Sequence, residues 1–409
     1  MTYQTNISPA ESHIVDQLRA ALDGLMIVEA ITVQTNDAKP HVQFAGAFPN
    51  NDPAAVFDEL ERRFERLGYT PQVVHSQDEE GEGEGEGETP DDLLILHALP
   101  VVADKKTGNH VVNAVLFVLT VLSVLVTGAF QEHVDIFARP GQIWRGWPFA
   151  VTLLGILTAH ELSHYFVGRR HGSPVSLPYF IPLPLLSILG TMGAVIVQRA
   201  PMRSRKALFD IGAAGPIGGL IIAIPLLLIG LMFSEVGHPS QFIPIEEDTI
   251  LSQEGNSLLY LGSKYLVYGE ILPNEAGEDV WLSPPSPGGT VAFAAWAGLL
   301  VTSLNLFPVG QFDGGHIAYA MWGRKGWKVA RGFMALMFAW GVFLLTVMSN
   351  VAGTTWIVWG GISMLMGPRH PPPLNDVTPL DRKRKLVGWL LVIIFILILT
   401  PIPLITKQP

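Results

Sequence analysis

The rhythm of apolar and polar residues changes once along this chain, near residue 103. Before that point apolar stretches are short. Helical spacing predicts helices over 10–25 and 54–67, and β-branched or alternating runs predict strands over 28–33, 41–48, 70–74 and 93–98. Together they suggest a small α+β domain over residues 1–102, with a sheet packed on helices. The tract 79–88 alternates Glu and Gly; with no apolar surface to bury, it is expected to be a flexible acidic loop.

Beyond residue 110 the apolar runs lengthen to membrane-spanning size. They cover 111–130, 147–167, 208–232, 290–307, 332–348, 355–366 and 387–404. A further apolar stretch, 178–197, is broken by Pro178, Pro182, Pro184, Gly190 and Gly193, which predicts a re-entrant hairpin. The fold class expected is a polytopic α-helical membrane protein of about seven to eight spans with a small N-terminal α+β cytosolic domain. Residues 111–368 would form a membrane-embedded core, and 369–409 a basic connection followed by a C-terminal transmembrane helix.

Composition agrees, since 49% of the residues are hydrophobic and only 15% charged. The net charge of −10 is unevenly placed, which fixes an orientation. One set of connections carries Arg169 and Arg170, Arg203 to Lys206, Arg324 to Arg331, and Arg382 to Lys385. The long alternate connection, 234–289, holds nine acidic residues and Lys264 alone among lysines and arginines. By the positive-inside rule the N-terminal domain is cytosolic and the acidic connection outside. No cleavable leader is expected, because the first run long enough for insertion begins near Val111. A multi-pass protein of a bacterial plasma membrane follows, with the bilayer as one partner and no nucleic acid.

Candidate chemistry lies inside the second run, where His160-Glu161-Leu162-Ser163-His164 interrupts apolar sequence. Ionisable groups at membrane depth are costly unless paired or metal-bound. Residues at i and i+4 share a helix face, so His160 and His164 can ligate one Zn²⁺ per chain, with Glu161 beside it as general base. The chain has no cysteine, so further ligands must come from His, Asp or Glu. The fourth span ends in Asn305-Leu-Phe-Pro308-Val-Gly-Gln-Phe-Asp313-Gly314-Gly315-His316, a helix break on the same side of the membrane. Asp313 is the favoured third ligand, with His316 the alternative and otherwise a solvated turn residue. An intramembrane zinc metalloprotease acting on a transmembrane protein substrate is the leading reading. The alternatives are a catalytically silent client-binding pseudoprotease and a metal or ion transporter.

In these motifs the chain resembles the site-2 protease family of intramembrane zinc metalloproteases. The shared features are His160-Glu161-x-x-His164, Asn305-x-x-Pro308 with Asp313-Gly314, and Gly215-Pro216-Ile217-Gly218-Gly219 in the third span. The resemblance covers roughly 145–320. It implies His160, His164 and Asp313 as zinc ligands, Glu161 as the catalytic residue and Asn305 as a substrate-carbonyl or oxyanion group. It also implies Gly190, Thr191 and Gly193 as an edge that pairs with unwound substrate. Gly219 stands where family members often carry Asn, and the connection 234–289 is too short for the PDZ domain many of them bear. The lack of that insert and the extra terminal segments resemble the cyanobacterial and chloroplast branch.

Overall fold

Alternation in the N-terminal segment becomes a four-stranded sheet. The structure, a computed structural model, describes residues 9–34, 40–49, 53–76, 94–100, 109–198, 200–242, 251–284, 286 and 288–407; the Glu/Gly tract 79–88 lies outside them. Helix α1 (Pro9–Ala20) precedes β1 (Ile27–Gln34) and β2 (His41–Ala47); α2 (Pro53–Arg66), β3 (Tyr69–His75) and β4 (Leu94–Pro100) follow. The strand order is β1-β2-β4-β3, with every pair antiparallel. Helix α2 buries Phe57, Leu60 and Phe64, spaced i, i+3, i+7, in a core with Leu18, Val42, Phe44 and Leu96. The helix read over 10–25 ends early, at Ala20, where backbone turns continue to Leu25.

The far edge of this sheet is closed by a distant piece of chain. Val73 donates its N–H to the Leu374 carbonyl at 2.7 Å, and the Asp376 N–H returns to the Val73 carbonyl at 3.1 Å. The Leu374 side chain is buried in the sheet domain's own core. Arg203 adds ion pairs to Asp58 and Glu61 of α2, each at 2.6 Å.

The described residues from 109 to 407 form the helical body. Its helices are α3 (His110–Gln131), α4 (Trp147–Arg170) and α5 (Arg205–Met232), then α6 (Pro239–Phe242), α7 (Leu258–Tyr268) and α8 (Gly289–Asn305). They continue with α9 (Asp313–Trp322), α10 (Lys325–Thr346), α11 (Gly353–Met366) and α12 (Arg382–Ile398). By length and composition α3, α5 and α10 can each cross a membrane, and α8 is a shorter apolar helix. Helix α4 has the length, at 24 residues, but His160, Glu161 and His164 interrupt its apolar sequence. Helix α5 packs along both α4 and α8, and these three carry the central core around Leu153, Leu208, Leu227 and Trp296.

Residues 178–197 form a hairpin, as the prolines and glycines there predict: β5 (Tyr179–Pro182) pairs with β6 (Thr191–Val195), Tyr179 opposite Val195 and Phe180 opposite Ala194. Other boundaries differ from the sequence reading. The last apolar run, read over 387–404, is helical only to Ile398; Pro401 and Pro403 cannot continue a helix, and Leu404–Lys407 forms strand β10. The described parts of the acidic connection are folded: β7 (Glu235–Gly237) pairs with β9 (Asp279–Trp281), and β8 (Leu251–Glu254) pairs with β10. Its one lysine, Lys264, is fully buried, with Nζ 2.7 Å from Asp279 and 3.7 Å from Glu254, over the Tyr260 ring. A buried ammonium needs such partners.

Candidate metal centre

Helix α4 presents His160 and His164 one turn apart, and both are buried. The close packing of α5 holds them in place. A Cβ at Gly215 would lie 2.0 Å from His164 Nε2, so only glycine lets the two helices approach there. The Gly215-Pro216-Ile217-Gly218-Gly219 stretch thus serves helix packing. One turn earlier on α5, the Ile211 carbonyl accepts a hydrogen bond from His164 Nδ1 at 2.7 Å. A carbonyl only accepts, so Nδ1 carries the proton and a neutral His164 turns an Nε2 lone pair toward the site.

The break between α8 and α9 supplies the other groups. Asp313 is the first residue of α9, reached after Pro308 and a turn over residues 306–312. Its Oδ2 lies 3.0 Å from His160 Nε2 and its Oδ1 3.2 Å from His164 Nε2. The two Nε2 atoms are 3.2 Å apart. Asn305, the last residue of α8, places Nδ2 3.3 Å from His160 Nε2. Glu161 is 5% exposed, and no hydrogen bond or ion pair among the described residues holds its carboxylate.

This donor set fits a zinc ion. Donor atoms of His160, His164 and Asp313 lie within 4.8 Å of one another. Tetrahedral zinc with N and O ligands at about 2.0–2.1 Å separates its donors by about 3.3 Å, close to the spacings found. His164 Nε2 and the Asp313 carboxylate bring lone pairs to the same point, which a bound cation would accept.

The structure brings His160, Glu161, His164, Asn305 and Asp313 into one site. Gly190, Thr191 and Gly193 lie apart, in the hairpin, and they differ in setting. Gly190, at φ +71°, is a turn glycine against α3, where a Cβ would lie 2.5 Å from Thr127 Oγ1. Close approach at Gly190 is therefore to α3. Thr191 is buried, its hydroxyl donating to the Ile181 carbonyl at 2.8 Å, whereas a Cβ on Gly193 would meet nothing within 4 Å. His316 is not a solvated turn residue; it sits on α9, with Nδ1 2.6 Å from Nε2 of the buried His370. Neither the Ile211 carbonyl nor His370 could be found from sequence, because each reaches its partner only through tertiary packing.

Fold and site together define a membrane-embedded HExxH protein whose third acidic group comes from a broken helix. Residues 148–348, just under half of the chain, match Peptidase family M50, and the chain carries a domain of that family. The chain is 30% identical over 258 residues to "Probable zinc metalloprotease EGY2, chloroplastic" of Arabidopsis thaliana, covering 63% of this chain and 42% of that protein. It is 26% identical over 316 residues to "Probable zinc metalloprotease EGY1, chloroplastic" of the same plant, covering 72% and 53%. A rice protein named "Probable zinc metalloprotease EGY3, chloroplastic" is 27% identical over 294 residues, covering 68% and 47%. The chain thus spans about half the length of the curated relatives it matches. No solved structure matches.

Proposed function

We propose that the protein is an intramembrane zinc metalloprotease that hydrolyses peptide bonds within or near transmembrane segments of other membrane proteins. The observation that carries the reading is the convergence of His160, His164 and Asp313 at hydrogen-bond distances inside an apolar body, with the unpaired Glu161 one residue away. The family match and the zinc metalloprotease names of the relatives support it.

His160, His164 and Asp313 would hold the ion. When bound, zinc supplies a Lewis acid that makes water a nucleophile near neutral pH. Glu161 takes a proton from the attacking water and delivers it to the leaving amine, a role its free carboxylate suits. The Asn305 amide, beside His160, donates to the developing oxyanion. A helical substrate shields its own carbonyls and must unwind first. Strand β6, whose outward Met192 and Val195 are exposed, offers backbone to such an extended segment.

The reading uses seven crossings: α3, α4, α5, α8 with α9, α10, α11 and α12. Arg205, Asp376, Asp210 and Arg384 gather at one end of the bundle, and β8 and β10 pair at the other. The same reading puts the basic end and the N-terminal domain in the cytosol of a bacterial-type plasma membrane, on the positive-inside bias. At 1.5 Å per residue, His160 and His164 then lie roughly 7–14 Å below the level of Arg169, within reach of water from that side.

The test is Glu161→Gln in the full chain, with membrane proteins compared by proteomics against wild type. Uncut membrane proteins should accumulate in the variant, while purified protein keeps about one zinc and turnover falls roughly 10²-fold or more. Unchanged turnover would remove the peptidase mechanism.

A further inference from the structure

The basic end of the bundle carries a second feature that the metal centre does not use. A crevice of about 980 Å³ opens between the ends of α4 and α12, over α5. Its floor is apolar, built from Val167, Phe209, Ala213, Ile217 and Val387. Its rim is charged, and the charges do not balance. Asp210 accepts from Arg384 at 2.7 and 2.6 Å and lies 2.9 Å from His171 Nε2. Asp381 caps α12 and also pairs with Arg384. Both carboxylates of the crevice are therefore engaged with Arg384 and His171. Among the described residues no carboxylate pairs with Arg170, Arg382 or Lys383, which line the same opening.

Three unpaired cations above an apolar groove, at the level where the helices leave the bilayer, match an amphiphile with an anionic head and a long apolar tail. A free phosphate would satisfy the rim and leave the groove bare. A zwitterionic lipid would fill the groove and leave the cations uncompensated. We propose that this crevice is a binding site for one anionic glycerolipid, its phosphate held by Arg170, Arg382 and Lys383 and an acyl chain lying across α5. The lipid would join α12 to α4, the helix that carries His160 and His164. The inference rests on the membrane reading and not on the peptidase activity.

The experiment uses the purified full chain in mild detergent, offered phosphatidylglycerol or phosphatidylcholine with identical acyl chains, with bound lipid read by native mass spectrometry. Retention of one phosphatidylglycerol per chain is expected, with a preference of about tenfold or more over phosphatidylcholine. The triple variant Arg170→Gln, Arg382→Gln, Lys383→Gln should lose the preference. Ala214→Trp, which fills the groove without touching the rim, should reduce retention of both lipids. Thermal unfolding of wild type should shift upward with phosphatidylglycerol and not with inorganic phosphate. The proposal fails if wild type retains the two lipids equally, or if the triple variant keeps its preference. An equal shift from inorganic phosphate would reassign the site to a free anion. Displacement of phosphatidylglycerol by a synthetic transmembrane peptide would assign the crevice to a protein segment.

Discussion

At Gly215 a single methyl group would decide whether the metal centre can form. A Cβ there would stand 2.0 Å from His164 Nε2, on a ring fixed from its other side by the Ile211 carbonyl. Gly215→Ala should therefore displace a ligand as well as strain the α4–α5 contact. The expected result is a large loss of bound zinc, with destabilisation of about 1–3 kcal/mol, typical of overpacking; metal analysis and thermal unfolding of the purified chain check both. Asp313→Ala should also lower zinc content sharply, by removing a ligand instead of moving one. Full zinc content in that variant would hand the role to His316, whose ring is already engaged with His370.

Among the elements, the β5–β6 hairpin and the α8–α9 break bear most directly on function. Prolines at 178, 182 and 184 exclude a continuous helix, so the hairpin was legible in the sequence, but its packing was not. Gly190 faces α3, and the Gly190 carbonyl accepts from Ser123 Oγ at 2.5 Å, so the turn is anchored to a membrane helix. If β6 pairs with substrate, Ala194→Pro should cut turnover while zinc content stays at wild-type level, since a backbone donor is lost and no ligand moves. Normal cleavage would separate the hairpin from substrate binding. The break needs tight packing too: a Cβ on Gly314 would lie 2.0 Å from the Leu306 carbonyl oxygen, so the turn that aims Asp313 accepts no side chain there.

Across the whole molecule, the connection after α11 ties the sheet domain to the membrane body. His370 contacts His316 on α9, and four residues later Leu374 is buried in the sheet domain's core. Leu374→Ala should lower the stability of the docked domain by about 2–5 kcal/mol, the cost of a buried Leu→Ala change, and limited proteolysis should release residues 9–100 sooner. On the opposite face, burial pushes the Glu254 carboxyl up to about 7, while Lys264 pulls it down and Asp279 raises it. Its neighbours are Lys264, Asp279 and Tyr260, whose hydroxyl donates to Glu254 at 2.9 Å. A folded value above the ordinary 4.5 means that the folded state holds the extra proton. This contribution to stability is fully present below about 4.5 and is lost as pH rises through about 7. Hydrogen exchange over residues 251–268 should be slower at pH 5 than at pH 8 after correction for intrinsic rates. Glu254→Gln should flatten that difference.

The sequence alone determined what depends on local spacing. A four-residue interval puts His160 and His164 on one helix face, and β-branched alternation makes strands near 28–33 and 41–48. Prolines and glycines mark where helices cannot continue, both at 178–197 and at 308–315. Tertiary structure decided everything that needs two distant segments to meet. Asp313 reaches His160 across 153 residues, His316 turns to His370 instead of solvent, and Lys264 finds Asp279 in a connection that reads as an acidic loop. The physical reason is the same in each case. Periodicity reports which face a side chain occupies, while the partner on that face is chosen by helix packing and by the cost of burying a charge alone.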